Sequence, residues 1–125
     1  MVKSIVSIAI CLALIVGGAV FEHSFVNRQF EEFTCVVDSL YEKTQAETAN
    51  KQDVAAAQEC WRKKKEVLHI FIPHNDIREM ELWLAETLSL ISFEKYEDAL
   101  SKMDVLKELC DQIPKTYSLS IANLF

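Results

Sequence analysis

The N-terminal segment constrains this chain more than any other: residues 5–21 read IVSIAICLALIVGGAVF and carry no charge. As an α-helix, these seventeen residues would extend about 25 Å, near the ~30 Å thickness of a bilayer's hydrocarbon core. We therefore predict a transmembrane anchor at residues 1–21 and one separate domain at residues 22–125.

A cleaved signal peptide is the alternative interpretation of this segment. Lys3 supplies a basic start, and Gly17 and Ala19 supply the small residues needed before a cut after Ala19. Against cleavage, the apolar run continues through Val20 and Phe21 without a break. Retention as an anchor is favoured over release.

Positive charge predicts the orientation of the anchor. Lys3 and the free amine precede it, while Arg28 is the only Lys or Arg in the residues that follow closely. The positive-inside rule then places the N-terminus in the cytoplasm and residues 22–125 outside the cell membrane.

Glycine usage and charge set the class of the outer domain. Both glycines lie in the anchor, whereas tight β-hairpins usually need glycine and the outer composition favours helix. Residues 22–125 hold twelve Lys and Arg against nineteen Asp and Glu, a net charge of −7. An acidic all-α domain is predicted, and nucleic acid is discounted as a partner because the domain would repel phosphates.

Apolar residues spaced by three and four predict the first two helices of the domain. The first runs from about residue 22 to 48, and nothing in the sequence separates it from the anchor. The second runs from Asp53, as N-cap, to about Phe71, just before Pro73.

The same spacing predicts two further helices. The third begins at Asp76, paired with Glu79 as a capping box, and ends near Ile91. The fourth opens at Phe93 and should end at Pro114.

An apolar tail follows the fourth helix and is expected to pack back on the others, with Leu119, Ile121, Leu124 and Phe125. Four amphipathic helices with short links predict an antiparallel four-helix bundle. The fold class is thus all-α: an N-terminal transmembrane helix continuing into a small antiparallel bundle.

Cysteine and histidine positions give little sign of chemistry. Cys11 lies in the anchor, and no C-x-x-C pair exists. A Cys35–Cys60 disulfide is geometrically possible, but buried thiols are the default. His69 and His74 straddle Pro73, so they do not share a helix face and a metal site is not favoured.

No catalytic constellation is visible, and no cofactor, metal or small-molecule substrate is predicted. Without glycine beyond the anchor, neither a Gly-rich phosphate loop nor a G-x-S-x-G nucleophile turn can form there. An enzyme would need a deep polar cavity that gathers His69, Glu81 and Cys110.

The dense basic run Trp61-Arg62-Lys63-Lys64-Lys65 has two interpretations. It could contact anionic headgroups or an anionic wall polymer, with Trp61 as an interfacial ring. The favoured interpretation is a solvated helix face with Trp61 in the core.

A candidate partner surface combines Trp83 with the loop around Ile72, His74 and Asn75. Trp83 lies beside the apolar stripe of the third helix, so it could be an exposed anchor for a partner. Its alternative place, at the margin of the core, is favoured.

The order of four features resembles a known family: a short apolar N-terminus, Trp61 in the second helix, FIPHNDIREMELWL at residues 71–84, and YEDALSKMDVLKELCDQIPKTYSLSIANLF at residues 96–125. The most specific parts are H-N-D-I followed by Trp83, and Q-I-P-K-T-Y-S-L near the C-terminus. They resemble the family known as domain of unknown function 4363, from Gram-positive, largely spore-forming anaerobes. The resemblance covers essentially the whole chain. It implies a short single-pass helical protein and transfers no catalytic residue.

The leading hypothesis is a membrane-tethered helical bundle that works by contact with an unknown protein at the surface of a Gram-positive cell. A soluble exported binding protein, released after Ala19, is the alternative. An enzyme of unknown type is the third and least favoured hypothesis.

Overall fold

The computed structural model describes the backbone of residues 1–124 and the side chains of residues 1–117. Its four helices are α1 (Val2–Gln45), α2 (Lys51–Leu68), α3 (His74–Ser92) and α4 (Tyr96–Leu124). The all-α class is confirmed over the described backbone. The predicted tail contacts of Leu119, Ile121, Leu124 and Phe125 lie outside the described side chains.

The four helices form the predicted antiparallel bundle, in which α1 and α3 are diagonal. Each neighbouring pair of helices carries an ion pair: Lys43–Asp53 (2.7 Å) for α1 and α2, Lys65–Glu81 (2.6 Å) for α2 and α3, Lys102–Glu86 (3.5 Å) for α3 and α4, and Lys107–Asp38 (3.3 Å) for α4 and α1. The Tyr96 hydroxyl also donates to the Ala49 carbonyl at 3.3 Å, which ties the start of α4 to the link after α1.

One apolar core lies between the helices and draws on all of them. Its fully buried large side chains include Phe30, Phe33, Leu68, Met80, Met103 and Leu106. Among side chains 1–117, the buried polar ones are those of Thr44 and Thr87, and each hydroxyl donates to the carbonyl four residues earlier. Such bonds satisfy a hydroxyl inside an apolar interior at little cost.

Two links turn without glycine. Glu47 and Glu94 adopt left-handed backbone, with φ of 57° and 59°, at the position after a helix where glycine is usual. The Lys95 N–H donates to the Leu90 carbonyl at 2.9 Å, and an equivalent bond closes α1, which makes both ends Schellman motifs.

The predicted start of α2 is wrong by three residues. Asn50, not Asp53, is the N-cap: its side chain accepts from the Asp53 N–H at 3.0 Å. Asp53 accepts in return from the Asn50 N–H at 3.0 Å, which completes a capping box. The helix ends at Leu68, three residues before the predicted Phe71.

The predicted capping box of α3 is also wrong. Pro73 is the N-cap, and the helix begins at His74, so Asp76 lies in its first turn without a side-chain cap bond. Proline suits this position because its missing N–H would be unpaired there in any case. Asp76 still places a negative charge at the helix N-terminus, where the dipole favours it.

Helix α4 departs from prediction at both ends. It starts at Tyr96 because Phe93 is the C-cap of α3 and Glu94 is left-handed. It continues through Pro114 to Leu124. A proline inside a helix removes one backbone hydrogen bond and crowds the carbonyl four residues earlier. The flanking residues Ile113 and Tyr117 pack against the bundle, which favours continuation of the helix despite that cost.

Candidate functional site

Helix α1 has an exposed apolar half and a buried half. Within Val2–Gln45, an 18-residue window is apolar and wholly unburied, and its helix is long and apolar enough to cross a membrane. The first buried residue is Val26, followed by Phe30, Phe33, Val37, Leu40 and Thr44 at spacings of three and four. No break separates the two halves, so the apolar segment and one wall of the bundle are a single helix.

Trp61 belongs to the core and not to an interface. Its side chain is 5% exposed, and its ring lies 5.1 Å from that of Phe33. The indole N–H donates to Glu81 at 3.4 Å. The fold therefore places Trp61 in the core and does not expose it as an interfacial ring.

The cations after Trp61 are largely held by carboxylates of the same domain. Arg62 donates to Glu59 at 2.7 and 3.0 Å and to Glu66 at 2.8 Å, and these bonds raise the pKa of its guanidinium. Lys64 pairs with Glu32 on α1, and its hydrogen bond lowers the pKa of that carboxyl.

The remaining two cations of the run differ from each other. Lys65 pairs with Glu81 on α3 at 2.6 Å. Lys63 is exposed and has no ion pair among the described side chains. The run therefore presents little unpaired positive charge to an anionic surface.

The predicted partner surface does not come together as one patch. Ile72 is 4% exposed and belongs to the core, so it cannot face a partner. His74 and Asn75 are exposed in the first turn of α3. Trp83 lies nine residues from His74, about 13 Å along the helix. Trp83 is half-buried, and the Lys102 Nζ lies over it at 5.1 Å from the centroid of its ring.

An exposed apolar strip on α3 was missed by sequence reasoning. Leu82 and Phe93 are 58% and 74% exposed. Eleven residues apart, they share a helix face with Ala85 and Ser89, which are also exposed. We name these four residues the outer α3 face. The sequence does contain one indication of this face: Leu82 is apolar but falls outside the buried stripe formed by Ile77, Met80, Leu84 and Leu88.

The cysteines are free thiols: Cys35 is exposed, Cys60 is half-buried and Cys110 is buried. Burial raises the pKa of the Cys110 thiol to about 12, which disfavours the nucleophilic thiolate. Cys110 and Cys35 line an open groove of about 880 Å³ between α1 and α4.

The residues named for an enzyme are not gathered in one cavity. Cys110 lines the groove between α1 and α4, whereas Glu81 lines a smaller one beside His74 on α3. His69 is the C-cap of α2 and contacts the Lys65 carbonyl through Nδ1 at 3.1 Å. Among the described residues, no group of three or more His, Cys, Asp or Glu is placed to hold a metal ion.

These features define a class: a small all-α protein with one N-terminal helix long and apolar enough to cross a membrane, continuous with a four-helix bundle. The chain belongs to the family described as domain of unknown function (DUF4363), whose model matches residues 23–124. The family resemblance is thereby confirmed. No curated protein and no solved structure matches the chain.

Proposed function

We propose that this chain is a single-pass, membrane-tethered helical module that acts by binding a protein partner outside the cell membrane, without catalysis. The observation that carries the proposal is the continuity of α1. Its exposed apolar half and its buried half form one helix, with Val26 as the first core residue. A chain built this way holds a folded domain at a set distance from a bilayer.

The orientation follows from the positive charge of Lys3 and the N-terminal amine, which places residues 22–125 on the outer side. A phosphatase reporter that is active only outside the cytoplasm should be active when fused after residue 125. A reporter that is active only in the cytoplasm should be inactive at the same position. The reverse pattern would overturn the orientation. The proposed setting is the surface of a Gram-positive cell, the source expected from the family resemblance.

The outer α3 face is the surface we assign to the partner. Leu82 and Phe93 are large apolar side chains that the fold leaves in solvent, and such residues mark interaction sites when they share a face. The nearby Lys102 and Glu86, paired at 3.5 Å, supply a polar rim.

Site-specific photocrosslinking in intact cells tests this assignment. A photoreactive phenylalanine analogue at position 82 or 93 should capture the same protein. The same analogue at Gln58, an exposed position on α2, serves as the matched control and should capture none. Equal capture from all three positions, or no capture from 82 and 93, would contradict the proposal.

The exported soluble form remains a second candidate because cleavage after Ala19 would leave the core complete. No residue before Val26 is buried. Mass spectrometry of the native N-terminus distinguishes the two forms. A chain that starts at Met1 or Val2 supports the anchor, and one that starts at Val20 supports release.

A further inference from the structure

The distribution of charge along the chain singles out one end of the bundle. Beyond the apolar segment, the two longest stretches without Asp, Glu, Lys or Arg are residues 67–75 and 116–125. The first covers the end of α2, the α2–α3 link and the start of α3, and the second follows the middle of α4. Because α2 and α4 run antiparallel to α1, residues 67–75 and the backbone of residues 116–124 belong to the end where α1 leaves its apolar segment.

Aromatic contacts give the level of the α2–α3 link along α1. The rings of Phe25 and Phe71 meet edge to face at 5.9 Å, and Phe25 stacks on Phe21 at 6.2 Å. Phe25 is one turn beyond Phe21, about 6 Å along the helix. With Phe21 at the edge of the hydrocarbon core, Phe71 lies within the adjoining headgroup layer of roughly 5–8 Å.

Ile70 is the exposed apolar side chain at this level. It precedes Phe71 and is 70% exposed. Its link neighbours His69 and Pro73 are exposed as well, and neither is acidic. An exposed isoleucine is unfavourable in water, but it gains apolar surroundings when it enters the membrane interface.

The end of α4 reaches the same level from the other side of α1. The Tyr117 hydroxyl donates to Glu22 at 3.5 Å, the residue that directly follows the apolar segment. Helix α4 continues through Leu124, so about 10 Å of helix follows Tyr117. Its sequence there, SLSIANL, contains no charged residue.

We propose that the α2–α3 link, residues 69–73, is a membrane-contact surface, and that the backbone of α4 after Tyr117 meets the same bilayer beside α1. The partner of this surface is the headgroup layer of the bilayer that holds α1. The unbroken α1 helix selects this occupant, because it keeps this end of the bundle against the membrane whenever its apolar half is inserted. The inference rests on the proposed anchoring of α1 and adds that the bundle stands on the lipid surface.

Spin-label accessibility in the full chain tests the proposal, in vesicles of phosphatidylcholine with a quarter phosphatidylglycerol. The labelling background replaces the native cysteines by Cys11→Ala, Cys35→Ser, Cys60→Ala and Cys110→Ala. Single labels are then placed through Ile70→Cys, Phe93→Cys and Leu12→Cys. Phe93 is the matched control, since it is 74% exposed on the link at the opposite end of the bundle.

A label at position 70 should be at least about threefold less accessible to a water-soluble nickel complex than one at position 93, since the interface excludes polar reagents. It should also be more accessible to oxygen. A second label through His69→Cys should repeat the result, which guards against a local effect of the Ile70 substitution. Circular dichroism confirms that each variant keeps its helix content.

The label at position 12 separates failure of the inference from failure of the proposed anchor. Equal nickel accessibility at positions 70 and 93, with position 12 shielded, would overturn the membrane-contact surface and leave the anchor intact. Nickel accessibility at position 12 as high as at position 93 would overturn both.

Discussion

Replacing Phe33 with alanine is expected to cost the domain a large share of its stability. Phe33 is 0% exposed, and its ring packs 5.1 Å from that of Trp61 on α2. Truncating a buried phenylalanine costs about 3–5 kcal/mol, which includes the cavity left behind. A domain of this size has about 5–15 kcal/mol in total, so from a mid-range value of about 10 kcal/mol the variant should keep roughly half to 70% of its stability.

Urea unfolding of the full chain in detergent micelles measures this loss. Both tryptophans of the chain, Trp61 and Trp83, lie in the bundle and none lies in the apolar segment. Their fluorescence therefore reports unfolding of the bundle alone. The control is Phe93→Ala, which removes the same side chain where it is 74% exposed and should change the free energy of unfolding by less than about 0.5 kcal/mol.

A small effect of Phe33→Ala would contradict the packing of the second half of α1 in the core. If Phe33→Ala costs under about 1 kcal/mol, or no more than Phe93→Ala, the second half of α1 does not pack in the core. The apolar half of α1 and the bundle would then not share a rigid helix, and the proposed fixed position of the bundle above a membrane would be contradicted.

Three further predictions concern the turns, the ion pairs and the thiols. Glu94→Gly should raise the free energy of unfolding by about 0.5–1 kcal/mol, since glycine adopts φ of 59° without strain. The control Glu97→Gly, in the first turn of α4, should lower the free energy of unfolding. If both substitutions changed it in the same direction, the left-handed turn at Glu94 would be contradicted. The hydrogen bond from Lys43 and the capping bond from the Asn50 N–H lower the pKa of Asp53. The ionised carboxylate therefore stabilises the fold above the usual carboxyl pKa of about 3.9, and this stabilisation is lost as the pH falls below that value. The difference in urea midpoint between wild type and Asp53→Asn should therefore be largest at neutral pH and should close in acid, and a constant difference would argue against an ionic contribution. Iodoacetamide should modify Cys35 in the folded protein but Cys110 only in denaturant, because burial raises the pKa of Cys110 to about 12; similar rates for the two thiols would contradict its burial.

The sequence predicts the helical architecture well, because hydrophobic period and helix continuity are local properties. Between Phe21 and Gln45 nothing breaks a helix, so α1 follows directly from the residues. The spacing of Ile77, Met80 and Leu84 likewise marks the buried face of α3. Hydrophobic periodicity survives into the fold because each stripe has to be covered by a neighbouring helix.

The details that sequence reasoning missed depend on contacts between distant residues. Pro114 is a strong local stop signal, yet packing of the residues around it carries α4 past that position. Asp53 is a residue type that often caps a helix. Here, however, it is the third residue of α2, because it pairs with Lys43 on α1 and exchanges capping-box hydrogen bonds with Asn50. Which of several suitable residues caps a helix is decided by the length and path of the link, and those depend on the packed bundle.

The outer α3 face was missed for a related reason. A single leucine off the buried stripe is common on protein surfaces and predicts nothing alone. Leu82 gains significance when Phe93, assigned by sequence to the next helix, becomes the C-cap of α3 and falls on the same face. The shift of one helix boundary thus turns two separate residues into one strip.

The rigid form of α1 also constrains which proteins can be the proposed partner. From Glu22 to Gln45 the helix has 24 residues, so with its apolar half inserted it extends about 36 Å from the edge of the hydrocarbon core, headgroup layer included. Phe93 lies near that far end, because Tyr96 contacts Ala49 at 3.3 Å, while Leu82 lies about 16 Å closer to the membrane. A flexible linker would let the domain sample many heights, whereas this helix permits few. A partner captured from both positions must therefore extend well beyond the headgroups, and a transmembrane protein without an outer domain could not reach Phe93.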